Sequence, residues 1–254
     1  MKTNRFSALS AAVVTGCALL SSAAHSQTVP PAGLTGTITA DQVTVLTGQK
    51  PTLKWTVNYP SVVDKVVTID PDKITPKIDL IADVRVIGQG VTGATSNGGY
   101  FFVPTYATMS INSGDDFKSI FFGINPDINP GNIVQLGNVF GSTYTSNLVQ
   151  AGKSLRFGGY YVLNGTSGTH YKSNDGTTNV RFLVNGQTPP TNVPDYNAPS
   201  LESFLRPYLD TTGKIKIGPM DVIVFMELTH SAAQQSQSGY DLQDMILLVT
   251  FKNP

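Results

Sequence analysis

The chain has 254 residues, 40% of them hydrophobic and only 13% charged, with 17 basic and 17 acidic side chains. That is enough apolar material for one large core or two modest ones, and the balanced charge supplies no field to hold a nucleic-acid backbone or an anionic membrane surface. Twenty-four glycines and 16 prolines, among many Thr, Val, Asn and Ser, are the mixture of strands punctuated by turns rather than of helices, so the expected class is all-β.

Lys2 and Arg5 precede an uncharged stretch over residues 6–20, and Ala24-His25-Ser26 puts small residues at the two positions a signal peptidase reads. The pattern predicts an export signal over residues 1–26, cleavage before Gln27, and a mature chain that is periplasmic, on the cell surface or secreted. As a transmembrane anchor the run falls short, being broken by Ser10, Thr15 and Gly16 and shorter than the ~20 residues a bilayer needs. The only cysteine, Cys17, lies inside this leader, so cleavage leaves neither a thiol nor a disulfide. Val14-Thr15-Gly16-Cys17 also resembles the lipobox of bacterial lipoproteins, which would make Cys17 a lipid anchor. Against that alternative, Ala18-Leu19-Leu20 continues the apolar run where a lipoprotein turns polar.

Residues 27–33, with Pro30 and Pro31, read as an extended linker. Short β-type runs follow at 35–39 and 43–47, and Thr52-Leu53-Lys54-Trp55-Thr56-Val57 alternates apolar and polar positions as a half-buried strand does. A strand over 65–69 is closed by Asp70-Pro71-Asp72, and a long one over 78–87 carries Asp79, Asp83 and Arg85. Runs at 100–103, 107–112 and 117–124 complete the first half, the last two flanking the hairpin turn Ser113-Gly114-Asp115-Asp116. Leu53-Lys54-Trp55-Thr56-Val57 followed by Val66-Val67-Thr68-Ile69-Asp70-Pro71 resembles the B and C strands of bacterial immunoglobulin-like modules. The resemblance implies an antiparallel β-sandwich over 34–124 with Trp55 in its core.

Asn125-Pro126-Asp127-Ile128-Asn129-Pro130-Gly131-Asn132 concentrates turn formers and marks a boundary before a second β-sandwich-like module over 125–254, one continuous domain over 34–254 being the alternative. In that second half, runs at 133–136, 154–157, 160–163 and 180–184 read as strands. Leu201, Phe204, Leu205, Tyr208 and Leu209 form one apolar stripe behind Asn197 and Pro199 and predict a short α-helix near 199–209, which Pro207 must kink or end. Two strongly apolar strands, 221–228 and 245–251, close the chain, and their near-continuous hydrophobicity predicts burial on both faces.

Several motifs imitate known chemistry and fail on context. Gly88-Gln89-Gly90-Val91-Thr92-Gly93 matches a dinucleotide fingerprint, yet Thr, Ser, Asn and Gly follow where a helix must begin, so a flexible inter-strand loop is expected. Gly152-Lys153-Ser154 has Asn147 where a phosphate loop needs its first glycine. Ser167 lacks the flanking pattern of a nucleophile elbow. His170 and His230 are the only histidines beyond the leader and make no HExxH; His230, three residues after Glu227, is expected on the opposite strand face at a solvated loop edge.

The carboxylates offer more. Glu227 ends one C-terminal strand while Asp241 and Asp244 precede the next, so an antiparallel hairpin would bring all three to one end of the sheet, where converging oxygens suit calcium. Tyr240-Asp241-Leu242-Gln243-Asp244 before an apolar strand resembles the acidic ending of calcium-associated β-sandwich domains in extracellular bacterial adhesins, and the resemblance implies a Ca2+ site on Glu227, Asp241 and Asp244. The competing reading is that Asp241 and Asp244 orient a turn through backbone hydrogen bonds. Asn125, Asp127 and Asn129 imitate a calcium loop at alternate positions, with Gly131 one place late and no Glu at the twelfth.

Tyr100-Phe101-Phe102 and Tyr160-Tyr161 would stack sugars if exposed. These readings together predict an exported, non-enzymatic β-sandwich protein acting in surface recognition, adhesion or envelope assembly, with extracellular proteins or glycans as partners. A carbohydrate- or small-ligand-binding module is one alternative. The other is a hydrolase whose paired carboxylates face each other across a cleft.

Overall fold

A computed structural model describes residues 35–40, 50, 52–58, 60–112, 114–136, 147–189, 205–237 and 239–254. The expected leader with Cys17, the linker at 27–33, the run at 43–47 and most of the segment 199–209 lie outside the described residues. In chain order the strands are β1 (Thr35–Ala40), β2 (Leu53–Asn58), β3 (Val67–Asp70), β4 (Lys73–Pro76), β5 (Leu80–Gly88), β6 (Thr92–Ala94), β7 (Tyr100–Phe102) and β8 (Thr105–Ile111). They continue as β9 (Lys118–Gly123), β10 (Leu148–Val149), β11 (Leu155–Leu163), β12 (Thr166–Ser167), β13 (Tyr171–Lys172), β14 (Val180–Val184), β15 (Asp221–Met226) and β16 (Met245–Lys252). Among the described residues every pairing between these strands is antiparallel, and the protein is all-β, as its composition leads one to expect.

One sheet runs β10-β5-β16-β15-β14 and the other β3-β4-β11-β8-β9, with β12 and β13 also pairing β11. Both draw strands from either side of the turn-rich stretch 125–132, so the division expected there corresponds to no break in hydrogen bonding: β5 pairs β16, and β8 pairs β11. That stretch is instead tied inward, Gln89 N donating to Asn125 Oδ1 at 3.2 Å. The glycine-rich loop beside it is anchored through one side chain. Gln89 is fully buried, its Nε2 donating to Val91 O, Val103 O and Thr105 Oγ1, and the chain passes directly into β6 with no helix.

A shared apolar core takes Val84, Leu247, Val222 and Val224 from the first sheet and Ala107, Met109, Leu155 and Phe157 from the second. The other face of β15 and β16 is covered too. Ile223, Phe225 and Ile246 pack against Leu205, Ile215, Ile217, Tyr240 and Leu242, which accounts for the unbroken hydrophobicity of these two strands. The stripe expected to be helical does bury Leu205, Tyr208 and Leu209 there, but in another conformation. Its described end is one 3-10 turn, Arg206–Tyr208, with Pro207 inside it and Leu209 extended. Among the described residues no helix is long and apolar enough to cross a membrane.

β1 and β2 form a separate two-stranded sheet in which Ile38 lies opposite Trp55 and Ala40 opposite Leu53. The alternation is as read from sequence, but the burial is reversed: Trp55 is 77% exposed, Ile38 72% and Leu53 63%. Trp55 therefore does not occupy the core position that the immunoglobulin-like reading assigns to it.

Candidate functional site

β15 runs into the corner Glu227-Leu228-Thr229-His230, and Asp241-Leu242-Gln243-Asp244 leads into β16. Because β15 and β16 are antiparallel neighbours, the end of one lies beside the start of the other. This brings Glu227, Asp241 and Asp244 together, with ligand-capable oxygens all within 4.8 Å and all three residues buried, Glu227 completely.

Backbone N–H groups converge on these carboxylates. Glu227 Oε1 accepts from Thr229 N at 3.1 Å, Thr229 Oγ1 at 2.7 Å and His230 N at 2.9 Å, while Oε2 accepts from Asp241 N at 2.9 Å and Leu242 N at 3.3 Å. Asp244 Oδ2 accepts from Leu228 N at 2.7 Å and Thr229 N at 2.9 Å, and Asp241 Oδ1 accepts from Gln243 N at 3.0 Å. Leu242 is held at φ 59°, a left-handed conformation uncommon for a branched side chain, and its buried side chain joins the second apolar cluster. The corner thus pairs backbone strain with donors aimed at an anion.

His230 completes the cluster. Because β15 has ended, the chain turns back at 227–230 and His230 lies over Glu227 rather than on an opposite face, with Nδ1 3.5 Å from Oε1 and 2.8 Å from Thr229 Oγ1. Its ring fills the space beside Gly239, where a β-carbon would fall 2.4 Å from Cε1. Asp244 is pushed well above the ordinary carboxylate range, first by burial and then by the charges of Glu227 and Asp241. Burial and those neighbouring charges thus favour its protonated form, and it hydrogen-bonds Glu227.

This donor pattern bears on calcium. The ion takes six to eight oxygens, and a carboxylate offers about four lone-pair sites. Five donors already converge on Glu227, and Asp241 and Asp244 accept backbone N–H groups as well, so a metal bound by these three residues would have to compete with those donors. In the other imitation of a calcium loop each side chain holds one backbone donor. Asn125 Oδ1 accepts from Gln89 N, Asp127 Oδ2 from Ile124 N and Asn129 Oδ1 from Gly131 N.

Of the aromatic runs, Tyr100 and Phe101 are exposed on β7, whereas Tyr160 belongs to a ladder. Phe122, Tyr106 and Tyr160 face one another across β9, β8 and β11, with centroids 4.2 and 4.7 Å apart and planes inclined by 25° and 21°. At such spacing the rings cover each other's faces, the surfaces on which a sugar would stack. His170 extends the ladder, meeting Tyr160 and Phe117 edge to face and placing Nε2 2.9 Å from Thr108 Oγ1. Burial and the nearby Lys172 lower its pKa to about 4, against a smaller upward pull from Asp175, so the ring is neutral at pH 7.

Sequence reasoning brought the three carboxylates together but missed the approach of His230 to Glu227 and the role of His170. The segment Glu227-Leu228-Thr229-His230 carried a signal for the first, since Thr placed directly after a strand favours a turn held by its hydroxyl. No family model matches the chain, and no curated protein or solved structure shows significant similarity to it.

Proposed function

We propose that this chain is an exported, non-enzymatic β-sandwich protein that acts through its surface, in recognition, adhesion or assembly in the cell envelope or outside the cell. The observation that carries this reading is the apolar face of the β1–β2 hairpin, where the chain's only tryptophan lies exposed with Ile38 and Leu53. A two-stranded hairpin is marginal in water by itself, and exposed aromatic and branched side chains in one patch are what a protein contact buries. The leader-like residues 1–26 supply the compartment. The closest carboxylates, by contrast, lie below the surface and are engaged by backbone donors, whereas a carboxylate hydrolase needs its pair ~5–10 Å apart in an open cleft.

The test is fractionation of cells expressing the native chain, with sequencing of its N-terminus and oxidative footprinting of Trp55 in intact cells and in the purified protein. Export with an N-terminus at Gln27, and protection of Trp55 in cells but not in dilute solution, is the expected result. A cytosolic chain retaining Met1, or Trp55 equally reactive in both settings, would refute the proposal.

A further inference from the structure

β6 and β7 form a two-stranded sheet of their own, joined through Thr95-Ser96-Asn97-Gly98-Gly99. The hairpin is fixed at both ends. At its base Val91 and Val103 are buried, Val103 N donates to Val91 O at 2.9 Å, and the buried Gln89 donates through Nε2 to both of their carbonyls. At its tip Thr95 N donates to Gly99 O, Gly98 N to Thr95 O and Gly99 N to Thr95 Oγ1. Between these anchors Tyr100 is 49% exposed and Phe101 43%. Phe101 lies opposite Gly93, and a β-carbon on Gly93 would fall 2.5, 2.8 and 3.0 Å from Cζ, Cε1 and Cε2 of its ring. Three such similar distances put the face of the ring, and not its edge, over the glycine. Strand alternation sends Tyr100 to the other side of the hairpin, where it meets Phe102 edge to face at 5.8 Å. One face of Phe101 therefore rests on backbone while the other is open, unlike the rings of the Phe122–Tyr106–Tyr160 ladder, which cover one another. An open ring face, electron-rich and held flat, is the surface on which the C–H side of a sugar stacks.

Charge, size and the chemistry of the tip choose among occupants. Residues 86–114 carry no Asp, Glu, Lys, Arg or His, so the hairpin offers no charge to a charged ligand. Strands of three residues give a face of about 10 Å by 5 Å at the ordinary rise and spacing, far short of the ~800 Å² that each partner gives a stable protein contact. A membrane would meet the tip first, and the tip is Thr, Ser, Asn and Gly with the rings set behind it, the reverse of an inserting apolar end. Thr95, Ser96 and Asn97 are exposed there, and hydroxyl and amide groups of this kind hydrogen-bond sugar hydroxyls. We propose that the β6–β7 hairpin is a glycan subsite, in which the open face of Phe101 stacks against an uncharged pyranose and the tip residues hydrogen-bond its hydroxyls. The ligand class is a neutral oligosaccharide whose ring carries C–H groups along one face. The inference rests on the surface-recognition reading and names a ligand class for it, but the two fail separately, because export and protection of Trp55 do not depend on sugar binding.

Saturation-transfer NMR of the purified chain with neutral gluco-, galacto-, manno- and xylo-oligosaccharides, followed by titration calorimetry of those that bind, tests it. The expected result is binding of at least one of them, with little dependence on salt. Phe101→Ala should weaken that binding by about tenfold, the loss of one stacked ring, while Phe101→Tyr, which keeps the flat ring, should retain it. Gly93→Val, which drives a side chain into the underside of the ring, should also weaken it. Tyr100→Ala, on the opposite side of the hairpin, should change it by less than about twofold. Gly93, Tyr100 and Phe101 belong to neither apolar cluster, so the variants should keep the wild-type circular dichroism. No binding to any of these sugars at millimolar concentration, binding that Phe101→Ala leaves unchanged, or capture of the chain by phosphatidylcholine vesicles in place of the sugars would each overturn the proposal.

Discussion

Replacing Glu227 by Ala and Asp244 by Asn should have very unequal consequences at neutral pH, although the two side chains hydrogen-bond each other. Glu227→Ala removes the acceptor of His230 N, Asp241 N and Leu242 N, while Thr229 N keeps Asp244 Oδ2 and Thr229 Oγ1 keeps His230 Nδ1. Three donors are orphaned, Asp241 N and Leu242 N buried and His230 N half-buried, at about 1–3 kcal/mol each; because water can reach the half-buried one, the loss should lie at the lower end of the sum, about 3–5 kcal/mol. That is a large part of the ~5–15 kcal/mol typical of a domain. Asp244→Asn substitutes an amide of nearly the same shape for a carboxyl whose charged form is already disfavoured by burial and by Glu227 and Asp241. It keeps an acceptor for Leu228 N and Thr229 N and a donor toward Glu227, so the change should stay within about 1 kcal/mol.

The pH dependence follows from the same proton. Because the Asp244 pKa is raised in the folded protein, the folded state binds the proton more tightly than the unfolded chain does. This contribution is complete below the unfolded value of about 3.9 and is lost as pH rises toward the folded value. Urea unfolding followed by circular dichroism at a series of pH values should show this decline in the wild type and a flatter profile in Asp244→Asn. An Asp244→Asn variant as unstable as Glu227→Ala at neutral pH, or a Glu227→Ala variant within about 1 kcal/mol of wild type, would refute the reasoning.

Three further outcomes are expected. His170 has its folded pKa lowered to about 4, so the unfolded chain binds more protons between about pH 6.5 and 4; stability should fall through that window by about 1–2 kcal/mol after allowance for the ring's partial exposure, and His170→Gln should remove the effect in acid unfolding curves. Gly158→Ala would place a β-carbon 2.5 Å from Tyr171 O and 3.2 Å from Lys172 Cα; because both are backbone atoms of β13, the variant should lose about 1–3 kcal/mol in urea unfolding. Thermal unfolding of the purified chain in calcium and then in chelator should give one midpoint, since a ligand that binds only the folded state must raise it; a higher midpoint in calcium would show that the ion displaces the N–H donors of Glu227.

Much of the fold could be read from periodicity because a strand's two faces have different fates. The near-continuous apolar runs of β15 and β16 foretold burial on both sides, and the two apolar clusters supply it. Alternation in β2 identified an apolar face equally well, but alternation says nothing about what covers that face, and Trp55 is open. At Leu205, Tyr208 and Leu209 the reverse happened: burial was inferred correctly from a helical period while the backbone took a 3-10 turn at Pro207 and an extended exit. A few apolar residues report the side on which a segment packs more reliably than the conformation that achieves it. The turn formers at 125–132, read as a module boundary, begin with the 3-10 turn Asn125–Asp127, and the long-range pairing of β5 with β16 and of β8 with β11, which no local signal announces, joins strands from either side of them.

The carboxylate cluster separates the part of a site that sequence encodes directly from the part it does not. Strand order puts Glu227 beside Asp241 and Asp244, and the positions of acids at strand ends are enough to foresee that. Whether such a cluster takes a cation or a proton depends on how many N–H groups reach it first, and here that number is set by two corners. One is the reversal at Thr229 and His230; the other is the left-handed Leu242, which turns the amides of 241–243 inward. A left-handed Leu has no compositional mark, because its strain is offset by apolar burial that depends on residues far along the chain, Leu205, Ile215 and Ile217. The same acids on a relaxed corner would face one another with free lone pairs and would need a metal. On this corner they meet backbone dipoles, and the residual repulsion shows as the raised pKa of Asp244.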